Sequence, residues 1–136
     1  MESGEYYELR LEKTMKESVL REKSYQLALR TVKLYQFLSN EKKEFVLSKQ
    51  VLRSGTSIGA NIEEASQAES KSDFIHKLSI ANKEAFETCY WLRLLRDSSI
   101  LSAAQVDSLL SECDEVRRML TASIKTAKDN KTKNIE

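Results

Sequence analysis

Apolar residues recur along this chain at spacings of three and four, in four runs separated by short polar breaks. That period places them on one face of an α-helix rather than on alternate sides of a strand. The first run, about residues 17–39, carries Tyr25, Ala28, Val32, Tyr35 and Leu38 on one face. Ser39-Asn40 interrupt it, and Glu41-Lys42-Lys43-Glu44 reads as the charged first turn of a second helix, about 41–68. Leu47, Val51, Ser54, Ile58, Ile62 and Ala65 form the core stripe of that helix. Glu69 to Ser72 reads as a turn, with Ser70 or Ser72 capping a third helix, about 72–97. Its stripe is Phe74, Leu78, Ala81, Ala85, Thr88/Cys89, Leu92 and Leu95. Ile80, Trp91 and Leu94 widen it, which predicts more than one partner for this helix, an oligomer contact among them. The last helix, about 102–128, opens on the capping box Ser102-Ala103-Ala104-Gln105. Val106, Leu109, Leu110, Cys113, Val116, Leu120 and Ile124 follow.

Joins this short make successive helices antiparallel neighbours. The expected fold is therefore all-α, a single domain built as an antiparallel up-down-up-down four-helix bundle. Residues 1–16, with Tyr6, Tyr7, Leu9 and Leu11 among alternating charges, form an N-terminal extension that either lengthens the first helix or frays. Residues 129–136, with Lys131 and Lys133, continue a polar basic tail begun by Lys125 and Lys128.

One stretch, Arg53 to Ala65, stands apart from the rest. It holds Gly55 and Gly59, two of only three glycines, inside an otherwise regular helical stripe. A mid-helix glycine costs about 1 kcal/mol relative to alanine, so a pair of them predicts close approach of a neighbouring backbone, or a kink. A phosphate-cradling loop is the competing reading, but no strand precedes the stretch and the Walker lysine is missing. Helix packing is the reading adopted.

Composition narrows the class further. The 136 residues contain no proline, and the near absence of turn formers argues against sandwiches, barrels and dinucleotide folds. Lys and Arg number 22 against 21 Asp and Glu, so no block gives the one-sided field of a dedicated nucleic-acid binder. A folded surface can still gather charge on one face. No apolar run approaches the ~20 residues of a membrane span, and the acidic N-terminus lacks the features of a secretory leader. A cytoplasmic location is expected. Cys89 and Cys113 both fall on apolar stripes and read as reduced core thiols; a disulfide would need their helices to meet at that height.

Candidate chemistry is sparse. A di-metal carboxylate bundle needs two Glu-x-x-His motifs, and this chain has one histidine, His76, behind Asp73. There is no nucleophile elbow, and no cofactor motif. The chain reads as a non-enzyme with no metal, cofactor or small-molecule substrate. Asn61, beside the stripe, reads as a buried residue fixing helix register. Glu64 and Glu87 read as ion-pair partners of Arg53 or Arg93. Arg93 and Arg96, with Arg117 and Arg118, form a candidate basic patch for nucleic acid or another partner, against a plainly solvated face.

The stretch Gln50-Val51-Leu52-Arg53-Ser54 and Ser57-Ile58-Gly59-Ala60-Asn61-Ile62-Glu63-Glu64-Ala65 resembles a known signature. It is that of the four-helix bundle proteins encoded in intervening sequences of bacterial 23S ribosomal RNA genes. The resemblance continues through Phe74, Ile80-Ala81, Glu84-Ala85, Glu87-Thr88 and Tyr90-Trp91-Leu92, and spans roughly 18–125. Arg53, Ser57, Gly59, Asn61, Glu64 and Glu87 are its structural signature here. Ala65 and Ala68 stand where the family often has glycine and a basic residue. The resemblance implies a cytoplasmic, non-enzymatic bundle. A related branch, the accessory proteins of diversity-generating retroelements, forms a pentameric ring with a basic surface and binds reverse transcriptase and nucleic acid. By that analogy this chain is expected to be a homo-oligomer, in one version a pentamer, binding RNA or a ribonucleoprotein. Its small-residue face and the wide stripe of the third helix would make the contacts between subunits. A protein–protein adaptor without a nucleic-acid role is the alternative.

Overall fold

The computed structural model describes the backbone of residues 3–133 and the side chains of 4, 5, 8 and 11–130. Tyr6, Tyr7 and Leu9 of the expected extension, and Lys131 and Lys133 of the expected tail, lie outside the described side chains. Four helices account for the chain, α1 (Ser3–Asn40), α2 (Leu47–Ala65), α3 (Lys71–Asp97) and α4 (Ala103–Lys133), with no strand among the described residues. Residue pairings give the topology. Arg21 meets Glu63 while Thr31 meets Gly55, so residue numbers rise on α1 as they fall on α2. Lys77 with Glu64 and Thr88 with Ser54 do the same for α2 and α3. Asn82 with Thr121 and Arg96 with Asp107 do so for α3 and α4. Lys23 with Glu115 and Arg30 with Ser108 close α4 onto α1. Each neighbouring pair is antiparallel, as an up-down bundle requires.

The helix ends differ from expectation in three places, each for a local reason, and the N-terminal segment takes the first of its two expected forms. The segment 1–16, set apart as an extension, is helical from Ser3 onward. No proline or glycine interrupts it after Gly4, and its Leu, Met, Glu and Lys residues favour helix. Residues 41–46 are a loop rather than the first turn of α2, which starts at Leu47. Lys43 takes a left-handed conformation (φ 54°) that breaks the helix. Glu44 then accepts hydrogen bonds from the backbone amides of Val46 (3.0 Å), Leu47 (2.8 Å) and Ser48 (2.7 Å), capping α2 from outside it. At the other end α2 stops at Ala65 rather than near 68, its last turn tightened by Gln67 and Ala68 amides donating to Glu64 and Ala65. The tail expected at 129–136 is helical as far as Lys133, anchored by buried Ala127. Ser70 caps α3 by accepting from the Asp73 amide (3.0 Å), and Ser102 and Gln105 exchange the two bonds of a capping box.

Burial alone would push the Glu44 carboxyl up, but the amides of Leu47, Ser48 and Val46 hold it below its ordinary range. A carboxylate depressed in the folded state adds stability above its unfolded pKa and loses it as pH falls through the folded one. Glu44→Ala is therefore expected to cost about 1 kcal/mol at neutral pH. The deficit relative to the parent should close as both are acidified below about pH 4. Urea melts at two pH values read this directly.

The core contains Leu27, Leu38, Val51, Ile58, Leu92, Leu95, Val116 and Leu120, all essentially inaccessible. Each such residue contributes about 1.5–3 kcal/mol by leaving water. The stripes read for α2, α3 and α4 supply most of them. The face of α1 follows the reading at Leu38 but not at Tyr25. Tyr25, expected inside, is 57% exposed, and the inward positions are Leu20, Ser24, Leu27, Thr31 and Leu38. Two of these five are hydroxyls, which a search for apolar periodicity passes over. Both are satisfied within α1: Ser24 donates to the Arg21 carbonyl (3.0 Å) and Thr31 to that of Ala28 (2.8 Å).

Candidate partner surface

The glycines of α2 explain those hydroxyls. A Cβ on Gly55 would lie 2.8 Å from the Cβ and Oγ1 of Thr31, and one on Gly59 would sit 3.4 Å from the Ser24 carbonyl oxygen. The small-residue face is thus used up inside the monomer, against α1. It is not a subunit contact, which corrects that part of the ring analogy. Beside it, Ser57 donates to the Arg53 carbonyl (2.7 Å) and Asn61 to the Ser57 carbonyl (2.8 Å). Asn61 is half-buried and bonds its own helix, so it does not set register. That role falls to Ser54 and Thr88, fully buried hydroxyls 2.9 Å apart across the α2–α3 interface. Thr88 is also within hydrogen-bond reach of the Glu84 carbonyl (2.7 Å) on its own helix, so an apolar residue in place of Thr88, rather than of Ser54, is the change that removes a partner in the core.

Arg53 reaches from α2 to α3, where its guanidinium pairs with Glu84 (3.3 Å) and Glu87. Glu87 also accepts the indole N–H of Trp91 (3.1 Å). Glu64 pairs with Lys77 (3.3 Å) rather than with an arginine. Of the signature residues, Arg53, Gly59, Glu64 and Glu87 therefore make contacts between helices, while Ser57 and Asn61 bond within α2. Exposed ion pairs of this kind contribute little individually. The Arg53–Glu87–Trp91 chain joins α2 to α3 at this height.

The four arginines of the candidate basic patch lie on α3 and α4, and acidic neighbours share the surface. Arg96 pairs with Asp97 (2.9 Å) and Asp107 (3.3 Å), which raise its pKa. Arg117 (2.8 Å) and Arg118 (3.5 Å) share Asp114. The Arg117 hydrogen bond holds the Asp114 carboxyl below its ordinary range. Arg93 lies over the Tyr90 ring at 5.9 Å, and Arg117 over Phe86 at 4.7 Å. Phe86 and Tyr90 are 53% and 47% exposed. The residues brought together are thus Phe86, Tyr90, Arg93 and Arg117, an aromatic–guanidinium surface across α3 and α4. Arg96 sits nearer the α3–α4 turn, tied to the acidic residues there. The two aromatics escaped the reading of the sequence. Their four-residue spacing just off the Ala85–Thr88–Leu92 stripe was the available sign.

The outer side of α1 carries exposed apolar residues among charged ones. Leu11, Met15, Val19, Tyr25 and Leu29 are exposed, opposite the face that meets Gly55 and Gly59, and Phe45 and Val46 are exposed in the following loop. A groove of about 820 Å³ opens between the N-terminal half of α1 and the end of α4, floored by Leu20, Ile62, Phe74 and Leu78. Neither a histidine nor a cysteine lines it. His76 is exposed, and no three His, Cys, Asp or Glu residues among those described are grouped to hold a metal. No helix is long and apolar enough to cross a membrane among the described residues.

The sequence profile of the 23S rRNA-intervening sequence protein family matches residues 16–122. A crystal structure of a Bacteroides thetaiotaomicron protein of unknown function, from the S23 ribosomal protein family, is 54% identical, with a TM-score of 0.79. The match covers 81% of this chain and 98% of that one. A comparison with curated proteins returns no match.

Proposed function

The chain belongs to the 23S rRNA-intervening sequence protein family, and from that premise we propose that it is a non-enzymatic, self-assembling helical bundle that binds RNA or a ribonucleoprotein. The observation that carries the reading is the surface of Phe86 and Tyr90, each half open to solvent with an arginine against its ring. Exposed rings interleaved with guanidinium groups are what unpaired bases stack on, with the cations serving the phosphates. A balanced charge per subunit is compatible with this, because a closed assembly repeats the surface on every copy. The exposed apolar side of α1 is the face offered for self-association, in place of the small-residue face now buried within the monomer.

A second reading, a protein–protein adaptor, is favoured by Asp97, Asp107 and Asp114, which already neutralise three of the four arginines. Tyrosine and arginine are also the residues that anchor protein interfaces. Titration of a labelled single-stranded RNA, followed by fluorescence anisotropy, separates the two. Under the RNA reading affinity falls about tenfold to a hundredfold between 50 and 200 mM salt. Absence of binding at the lower salt would leave the adaptor.

A further inference from the structure

The proposed partner surface has two thiols at its base. Cys89 on α3 and Cys113 on α4 are the only cysteines of the chain, and their sulfurs lie 3.2 Å apart. A disulfide needs them at about 2.05 Å, so closing the gap takes a shift of roughly 1 Å. No covalent bond joins them in this structure; both are free thiols. Their surroundings differ. Cys89 is half-buried, reachable from solvent, one turn from Phe86 and from Arg93, whereas Cys113 is fully buried and 3.4 Å from the Ala85 carbonyl oxygen.

We propose that Cys89 and Cys113 are a peroxide-responsive pair that closes reversibly into a disulfide between α3 and α4. Cys89 is the attacking sulfur. Its contact with the Cys113 sulfur favours the Cys89 thiolate against the effect of burial, and Arg117 and Arg93 add positive charge nearby, partly offset by Asp114. The Cys113 thiol is pushed up by its bond to Cys89 and by burial, so it stays protonated until its turn. In the first step the Cys89 thiolate attacks a peroxide oxygen. The O–O bond breaks, sulfur loses two electrons to become a sulfenic acid, and the departing hydroxide takes a proton to leave as water. In the second, the Cys113 sulfur attacks Cys89. The S–S bond forms, the S–O bond breaks, and the departing hydroxide takes the Cys113 proton. Two thiols and one hydrogen peroxide give one disulfide and two waters. A dithiol reductant reverses the link.

The closed bond would pin α3 to α4 beneath Phe86, Tyr90 and Arg117. The inference stands on the cysteine geometry and holds whichever partner that surface takes.

The test treats the folded chain with hydrogen peroxide and counts its thiols, with intact mass measured without reductant. The expected result is a fall from two thiols to none in a chain that loses the mass of two hydrogens, reversed by dithiothreitol. Cys113→Ser should instead retain a sulfenic acid at Cys89, trapped by a dimedone probe, while Cys89→Ser should resist peroxide under the same exposure. Two thiols persisting in the treated parent, or disulfides found only between separate chains, would overturn the proposal.

Discussion

Gly55→Val is expected to destabilise the bundle by about 3 kcal/mol, the upper part of the range for overpacking a close-packed contact. The reason is geometric. Even a single added Cβ would lie 2.8 Å from the Thr31 Cβ and Oγ1, atoms next to the α1 backbone that cannot swing away. Gly55→Ala should already be destabilising by about 1 kcal/mol, although alanine favours a helix by about that much. Gly59→Ala makes the contrast. Its Cβ would meet the Ser24 carbonyl oxygen at 3.4 Å, near ordinary contact, so the helix gain should leave it neutral or slightly stabilised. Combining Gly55→Ala with Thr31→Ala should recover part of the loss, a coupling of about 1 kcal/mol in a double-mutant cycle. Trp91, the single tryptophan, reports each urea melt by fluorescence. Equal costs at positions 55 and 59 would mean that the helices are not held apart as described.

The second large effect concerns the partner surface. Phe86→Ala with Tyr90→Ala is expected to lower RNA affinity about tenfold or more for each ring, the amount a stacked base contributes. Both rings are half exposed, so the melt of the double variant should stay close to that of the parent. Loss of affinity without loss of stability is the combination that assigns the surface to binding. Unchanged affinity would place RNA elsewhere on the bundle.

Much of this architecture can be read from residue order alone. Val51, Ile58 and Ile62 on α2, and Leu78, Ala81, Ala85, Leu92 and Leu95 on α3, are buried where their spacing puts them. Gly55 and Gly59 announce a close helix approach because nothing else justifies glycine in mid-helix. The inward face of α1 is hidden because it is built from Ser24 and Thr31, while the more conspicuous Tyr25 points outward. The loop before α2 is hidden because Glu41-Lys42-Lys43-Glu44 has the composition of a first turn. What decides the matter is the Glu44 carboxylate reaching forward to three amides. The link between Glu87 and Arg53 follows from two antiparallel neighbours. The pairing of Arg96 with Asp107, and the approach of Cys89 to Cys113, depend on the register of α3 against α4, which side-chain packing sets and periodicity does not. For the same reason four arginines close together in two helices read as a basic patch, until Asp97, Asp107 and Asp114 are seen among them.

The proposed function has two parts, self-assembly of the bundle and RNA binding by the assembly. Light scattering behind a sizing column, with absorbance recorded for protein and nucleic acid on protein mixed with single-stranded RNA, tests both parts together. One peak containing RNA is expected, with a protein mass several times 15.6 kDa and about five times that value for a pentameric ring. A 15.6 kDa protein peak eluting free of RNA would contradict it.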